Sequence, residues 1–124
     1  MKIIYTSIEF DKSVLEFSKT IFTSFYSKVY CDHITLKFYS KNNSYIEREY
    51  NIDQPTTFDV IGYSFDDKCQ ALVCRVNEKC YNETPHITIS TEQVSPKYSN
   101  ELLKTGFTKI DSVRFTGIIR NKIF

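Results

Sequence analysis

Two heptapeptides constrain this chain more than any other part of it: Asp32-His33-Ile34-Thr35-Leu36-Lys37-Phe38 and Pro85-His86-Ile87-Thr88-Ile89-Ser90-Thr91. They carry the only 2 histidines of the 124 residues, and each histidine is followed two positions later by threonine. Polar and apolar residues alternate through both, the pattern of a strand with one buried face, because residues two apart in a strand share a side. The alternation predicts His33, Thr35, Lys37 and Tyr39 on one face, with Ile34, Leu36 and Phe38 opposite them in a core. It predicts His86, Thr88 and Ser90 together, with Ile87 and Ile89 packed behind.

The remaining segments arrange themselves around these strands. Lys2 to Phe10 is β-branched and aromatic, a first strand. Ser13 and Glu16 have capping-box spacing. Val14, Phe17, Ile21 and Phe25 then recur at helical intervals, predicting a helix over Val14 to Ser27. The first motif strand is expected from Val29 to Tyr39. Lys41-Asn42-Asn43-Ser44 has turn composition, Tyr45 to Tyr50 reads as a short exposed strand, and Asn51 to Thr56 as a loop. Thr57 to Phe65 and Cys69 to Val76 read as a hairpin across Asp66-Asp67-Lys68. Asn77 to Glu83 is a polar loop before the second motif strand, Thr84 to Thr91. Ser95-Pro96 has the form of a helix start, with Gly106 just past the helix end. Phe107 to Ile119 supplies one or two closing strands, interrupted near Asp111-Ser112. Hairpin-connected strands with two helices predict an α+β fold with antiparallel sheets, and the length fits one domain spanning residues 1–124.

A duplicated His-x-Thr on apolar-backed strands resembles the 2H phosphoesterase superfamily, the LigT-like phosphodiesterases. The segment Val94-Ser95-Pro96-Lys97-Tyr98-Ser99-Asn100-Glu101-Leu102-Leu103 is similar to the one that follows the second motif in the cyclic phosphodiesterase domain of fungal tRNA ligases. The resemblance implies a bilobal domain in which two pseudo-symmetric antiparallel sheets, with flanking helices, form a groove. It also implies that His33, Thr35, His86 and Thr88 form a catalytic tetrad.

The chemistry agrees with that implication. Cleaving a phosphodiester needs a base at the nucleophile and an acid at the leaving oxygen, and imidazole can serve as either near neutrality. Thr35 and Thr88 can donate hydrogen bonds to the non-bridging oxygens as charge develops. Lys37, Tyr39 and Ser90 share the predicted motif faces and are candidate substrate contacts. Arg75 and Arg114 are further candidate phosphate cations. No carboxylate cluster of the metal-phosphatase kind is present, so the expected mechanism uses no metal and no cofactor. Cys31, Cys69, Cys74 and Cys80 form no C-x-x-C pair. Together with His86 the last three match no standard zinc spacing, and without a secretory signal the four read as free intracellular thiols.

Net charge bounds the partners. A formal charge of +1 offers no broad basic field for long nucleic acid, whereas a small nucleotide needs only a few local cations. The N-terminus Met1-Lys2-Ile3-Ile4-Tyr5-Thr6 has no secretory pattern and no stretch is apolar enough to span a membrane, so the expectation is a cytoplasmic monomer. Richness in Asn, Lys, Ile, Tyr and Phe matches AT-rich genomes, viral ones among them. Members of the resembled family open 2',3'-cyclic phosphates at RNA ends, cut 2'-5' oligoadenylates, or destroy cyclic nucleotide signals of host immunity. With no ligase or kinase segment in view, the leading expectation is cleavage of a cyclic dinucleotide such as 2',3'-cGAMP in the host cytosol. Action on 2',3'-cyclic phosphates or 2'-5' oligoadenylates is the alternative. A non-catalytic nucleotide sponge and a protein-interaction domain are the remaining classes, and intact histidines in both motifs argue against the sponge.

Overall fold

The computed structural model describes residues 3–39 and 49–123. The turn expected at 41–44 and most of the strand expected at 45–50 lie outside the described residues. The fold is α+β. Among the described residues seven strands form one antiparallel sheet, with two short helices: β1 (Ile3–Glu9), α1 (Ser13–Ser18), β2 (Lys28–Val29), β3 (His33–Phe38), β4 (Pro55–Phe65), β5 (Cys69–Val76), β6 (His86–Thr91), α2 (Tyr98–Leu103) and β7 (Thr108–Ile123). The strand order is β2-β6-β5-β4-β7-β1-β3. The two sheets expected from the paired motifs are therefore the two ends of one ladder, joined where β4 pairs with β7. Read outward from that junction, β5 and β6 on one side correspond to β1 and β3 on the other.

The helix expected over Val14 to Ser27 stops after Ser18. Ser18 Oγ donates to the Leu15 carbonyl and Thr20 Oγ1 to the Phe17 carbonyl, both at 2.7 Å. Hydroxyls that bond nearby carbonyls compete with the next helical turn, and Ser18, Thr20, Ile21, Thr23 and Ser24 are all modest helix formers. The apolar periodicity still reports burial. Val14 and Phe22 lie in the core, and Phe22 meets the Tyr63 ring edge-on at 6.0 Å. Ser13 is not the cap; its backbone N–H donates to Asp11 Oδ1 at 2.9 Å. Before α2, Ser95 Oγ accepts the Lys97 N–H at 3.2 Å, and Gly106 follows the helix with φ +98°, as a residue past a helix end should.

The first motif strand is divided. Lys28 and Val29 pair with Thr91 and Ser90 of β6, and the Cys31 N–H still donates to the Thr88 carbonyl at 2.9 Å. Cys31 then takes φ +51°, an uncommon conformation for a residue with a side chain, and the chain turns away so that His33 opens β3 against β1. This one turn carries the chain from one sheet edge to the other. It brings β3 alongside β6 with no ladder between them among the described residues. Ile34, Leu36, Ile87 and Ile89 from the two strands share a single core with Ile8, Leu72 and Ile119. The hairpin across Asp66-Asp67-Lys68 forms as expected. The closing segment is one strand of 16 residues, and the interruption expected near Asp111-Ser112 is a register shift against β4 between Val60 and Gly62. Among the described residues no helix is long and apolar enough to cross a membrane.

Candidate functional site

Both motif strands carry an extra residue immediately after the motif threonine. Ser7 faces Thr35 but Thr6 faces Lys37, which leaves Leu36 as a bulge on β3. Ala71 faces Thr88 but Gln70 faces Ser90, which leaves Ile89 as a bulge on β6. The chain meets each bulge from outside. The Tyr81 N–H donates to the Leu36 carbonyl and the Tyr30 N–H to the Ile89 carbonyl, both at 2.8 Å. The likeness between the two halves thus extends from residue type to backbone irregularity.

A bulge resets strand alternation, and the consequences fall on the predicted site. Phe38, expected in the core, is 57% exposed and lines the cleft. Tyr39, expected on the motif face, is buried, with its hydroxyl 3.0 Å from Thr6 Oγ1. Lys37 is turned to Glu49 at 3.3 Å and lies over the Tyr81 ring. Ser90 is fully buried; its hydroxyl donates to Gln70 Oε1 at 2.6 Å and accepts the Tyr26 N–H at 3.0 Å. Lys37, Tyr39 and Ser90 are therefore outside the cleft lining, each for the same physical reason: the strand has changed register beyond the threonine. Arg75 and Arg114 are also elsewhere, both bonded to Asp59 at 2.9 Å across the β4, β5 and β7 ladder.

His33, Thr35, His86 and Thr88 do come together. All four line one cleft of about 550 Å³, along the seam between β3 and β6. Each imidazole is held through Nδ1. The Nδ1 of His86 lies 2.8 Å from the Thr84 carbonyl, an acceptor only, so this nitrogen carries the proton and donates. The Nδ1 of His33 lies 2.6 Å from Asp32 Oδ1. That bond holds the Asp32 carboxyl below its usual range, so the acceptor is a carboxylate and His33 donates. In both rings Nε2 is the nitrogen not engaged by these bonds. The surroundings otherwise differ. His86 is 8% exposed, and burial, followed by the nearby His33 charge, lowers its pKa. The His33 side chain is 31% exposed and its ring stacks on Tyr5, centroids 5.2 Å apart. Burial in turn raises the Tyr5 hydroxyl.

The rest of the lining includes side chains that motif reasoning passed over. Phe38, Tyr5 and Tyr30 give the cleft aromatic walls, and the Lys97 ammonium sits 4.9 Å from the centre of the Phe38 ring. Asp32 was legible as the neighbour of His33, and Lys97 and Asn100 fall inside the segment already noted after the second motif. Phe38 could not be found by alternation, since the bulge inverts its parity. Among the described residues no group of three His, Cys, Asp or Glu side chains is placed to hold a metal ion.

The chain matches the family model of the fungal tRNA ligase phosphodiesterase domain over residues 18–123. It belongs to that family. The fungal tRNA ligase phosphodiesterase domain is a 2H phosphoesterase, so the resemblance drawn from the two His-x-Thr strands holds at the family level. The match covers both motifs and α2, and it supports phosphodiesterase chemistry in general. Neither the curated proteins nor the solved structures contain a match to this chain.

Proposed function

We propose that this phosphodiesterase-family cleft opens 2',3'-cyclic phosphates of small nucleotides by acid–base chemistry between two histidines, without a metal. The observation that carries the reading is the meeting of His33, Thr35, His86 and Thr88 in one cleft from strands far apart in sequence. His86 is buried and its pKa is lowered, which favours the neutral imidazole with a basic Nε2. It removes a proton from the attacking water. His33 has the Asp32 carboxylate at Nδ1 to accompany a positive ring, and it delivers a proton from Nε2 to the departing ribose oxygen. Water's oxygen bonds to phosphorus, the bond to one ribose oxygen breaks, and the proton count closes when His86 releases to solvent the proton it took and His33 takes one back. Thr35 and Thr88 donate to the non-bridging oxygens.

A cyclic dinucleotide such as 2',3'-cGAMP is the second substrate reading. Its support is the aromatic wall of Tyr5, Tyr30 and Phe38, which offers stacking surface beyond a single base. The test is incubation with a nucleoside 2',3'-cyclic phosphate, 2',3'-cGAMP and a 2'-5' oligoadenylate, each in excess EDTA, followed by chromatography. Turnover of the cyclic mononucleotide into a monophosphate is the expected result. Turnover of the dinucleotide alone moves the second reading into first place. Stoichiometric retention without turnover, or activity that EDTA abolishes and Mg²⁺ restores, overturns the mechanism.

A further inference from the structure

The two motif threonines are not held alike. Thr88 Oγ1 lies 2.7 Å from Ser99 Oγ and donates to the Pro96 carbonyl at 3.3 Å. Ser99 is fully buried at the start of α2, and its hydroxyl lies 3.4 Å from Cys69 Sγ. A hydroxyl has one proton to give, and the Pro96 carbonyl can only accept. That end fixes the direction at Thr88: with the Thr88 proton on Pro96, Ser99 donates to Thr88, while the Cys69 thiol has both Ser99 Oγ and, at 3.8 Å, the Gln70 carbonyl within reach. Burial raises the Cys69 thiol, so the sulfur beside Ser99 stays protonated. Aligned bonds polarise one another, so the outward O–H is strengthened by the Ser99 bond behind it.

We propose that Ser99 is a positioning residue that aims the Thr88 hydroxyl at the reacting phosphate. The inference rests on the two-histidine phosphodiesterase reading. When a phosphate oxygen enters the cleft, the Thr88 proton leaves the longer bond to Pro96 for the more negative acceptor, while Ser99 keeps the Thr88 oxygen in place. Docking of α2 does not need this hydroxyl, because Leu102 and Tyr98 pack on Cys69 and Ala71 of β5. An anchoring role would therefore show as lost stability, and a positioning role as lost turnover that depends on Thr88.

The experiment is a double-mutant cycle on turnover of a nucleoside 2',3'-cyclic phosphate, with thermal melts of every variant. Ser99→Ala is expected to lower kcat about tenfold, the scale of one hydrogen bond strengthened in the transition state, with KM within about twofold of wild type. Thr88→Ala is expected to lose at least as much, and Ser99→Ala added to Thr88→Ala to cost nothing further. Cys69→Val breaks the row one step back, leaves Ser99 in place and keeps the test open should Ser99→Ala fold poorly. Its expected loss is about threefold, again absent when Thr88 is alanine. Losses that multiply in the double variants, losses confined to KM, or wild-type kcat in folded Ser99→Ala overturn the inference while leaving the two-histidine mechanism standing. A wild-type protein that turns over no cyclic phosphate removes that mechanism and this inference together.

Discussion

Replacing His86 separates chemistry from folding, because the two nitrogens of its ring have different jobs. His86→Ala removes the proposed base, and general acid–base catalysis is worth about 10² to 10⁴ in rate, or about 2.7–5.4 kcal/mol at 1.36 kcal/mol per decade. It also deletes the Nδ1 donor at 2.8 Å from the Thr84 carbonyl and opens space at a site only 8% exposed. An acceptor left unmatched costs about 1–3 kcal/mol, and since Thr84 is only partly buried the lower end applies. At roughly 4 °C per kcal/mol that is a drop of several degrees in Tm. His86→Asn supplies the second half of the test. Its amide nitrogen occupies the place of Nδ1 and can donate to Thr84, but nothing replaces Nε2. The expected outcome is a Tm that recovers toward wild type with turnover still down at least about a hundredfold. His33→Ala is expected to lose turnover on the same scale and only about 0.5–1.5 kcal/mol of stability, from the lost Tyr5 stacking. The double histidine variant should be little slower than either single variant, since both act on one transition state. The assay is single-turnover cleavage of a nucleoside 2',3'-cyclic phosphate beside melts. Substantial turnover in His86→Asn, or in either alanine variant, would refute the assignment of the two imidazoles as base and acid.

Acidification should weaken both folding and activity through His86. Its folded pKa lies below the ordinary 6.5, so the unfolded chain takes up the proton first; the stability it contributes is whole above pH 6.5 and falls as pH drops through the lowered folded value. Urea midpoints between about pH 7.5 and 5 should show this slope in the wild type and not in His86→Asn, and the acid limb of kcat/KM should lie below 6.5. Phe38→Ala is expected to leave the melt within about 0.5 kcal/mol of wild type and to raise KM about five- to tenfold for a substrate whose base stacks there. Equal KM values for mononucleotide and dinucleotide substrates in both proteins would show that the ring contacts neither. Ile34→Ala and Ile87→Ala, each deleting a side chain with 0% exposure behind a motif, should cost about 2–5 kcal/mol with the cleft chemistry otherwise intact, measured by denaturant midpoints.

The sequence made the motif pair, the hairpin, α2 and the α+β class legible because each rests on local pattern: alternation, turn residues, a helix stop at Gly106. It misled where a local pattern has two physical causes. Val14, Phe17, Ile21 and Phe25 are spaced as on a helix, yet burial alone is what their spacing reports; the hydroxyls of Ser18 and Thr20 end the helix first. Alternation alone makes the strand from Val29 to Tyr39 continuous, because Cys31 carries no mark of a left-handed residue. Only the competition between two partners, β6 before it and β1 after it, divides the strand there.

The bulges explain why the motifs stop at threonine. In an unbroken strand the motif face would run on through Lys37 and Tyr39 in one half and Ser90 in the other. An extra residue at Leu36 and at Ile89 ends that face one step after each threonine and turns the following side chains elsewhere. In β3 the inversion brings Phe38 to the cleft wall, where Lys97 reaches it. In β6 it leaves Ser90 within the hydrogen bonds of Gln70 and Tyr26. Two identical three-residue motifs with matching backbone irregularities are thus followed by different surroundings, one aromatic and open, the other sealed by Gln70 and by Ser24 and Tyr26. Neither bulge carries glycine or proline. What defines them is the spacing of the partner strands, a property of Thr6 and Ser7 for Leu36 and of Gln70 and Ala71 for Ile89, so no reading of the motif strands by themselves could have located them.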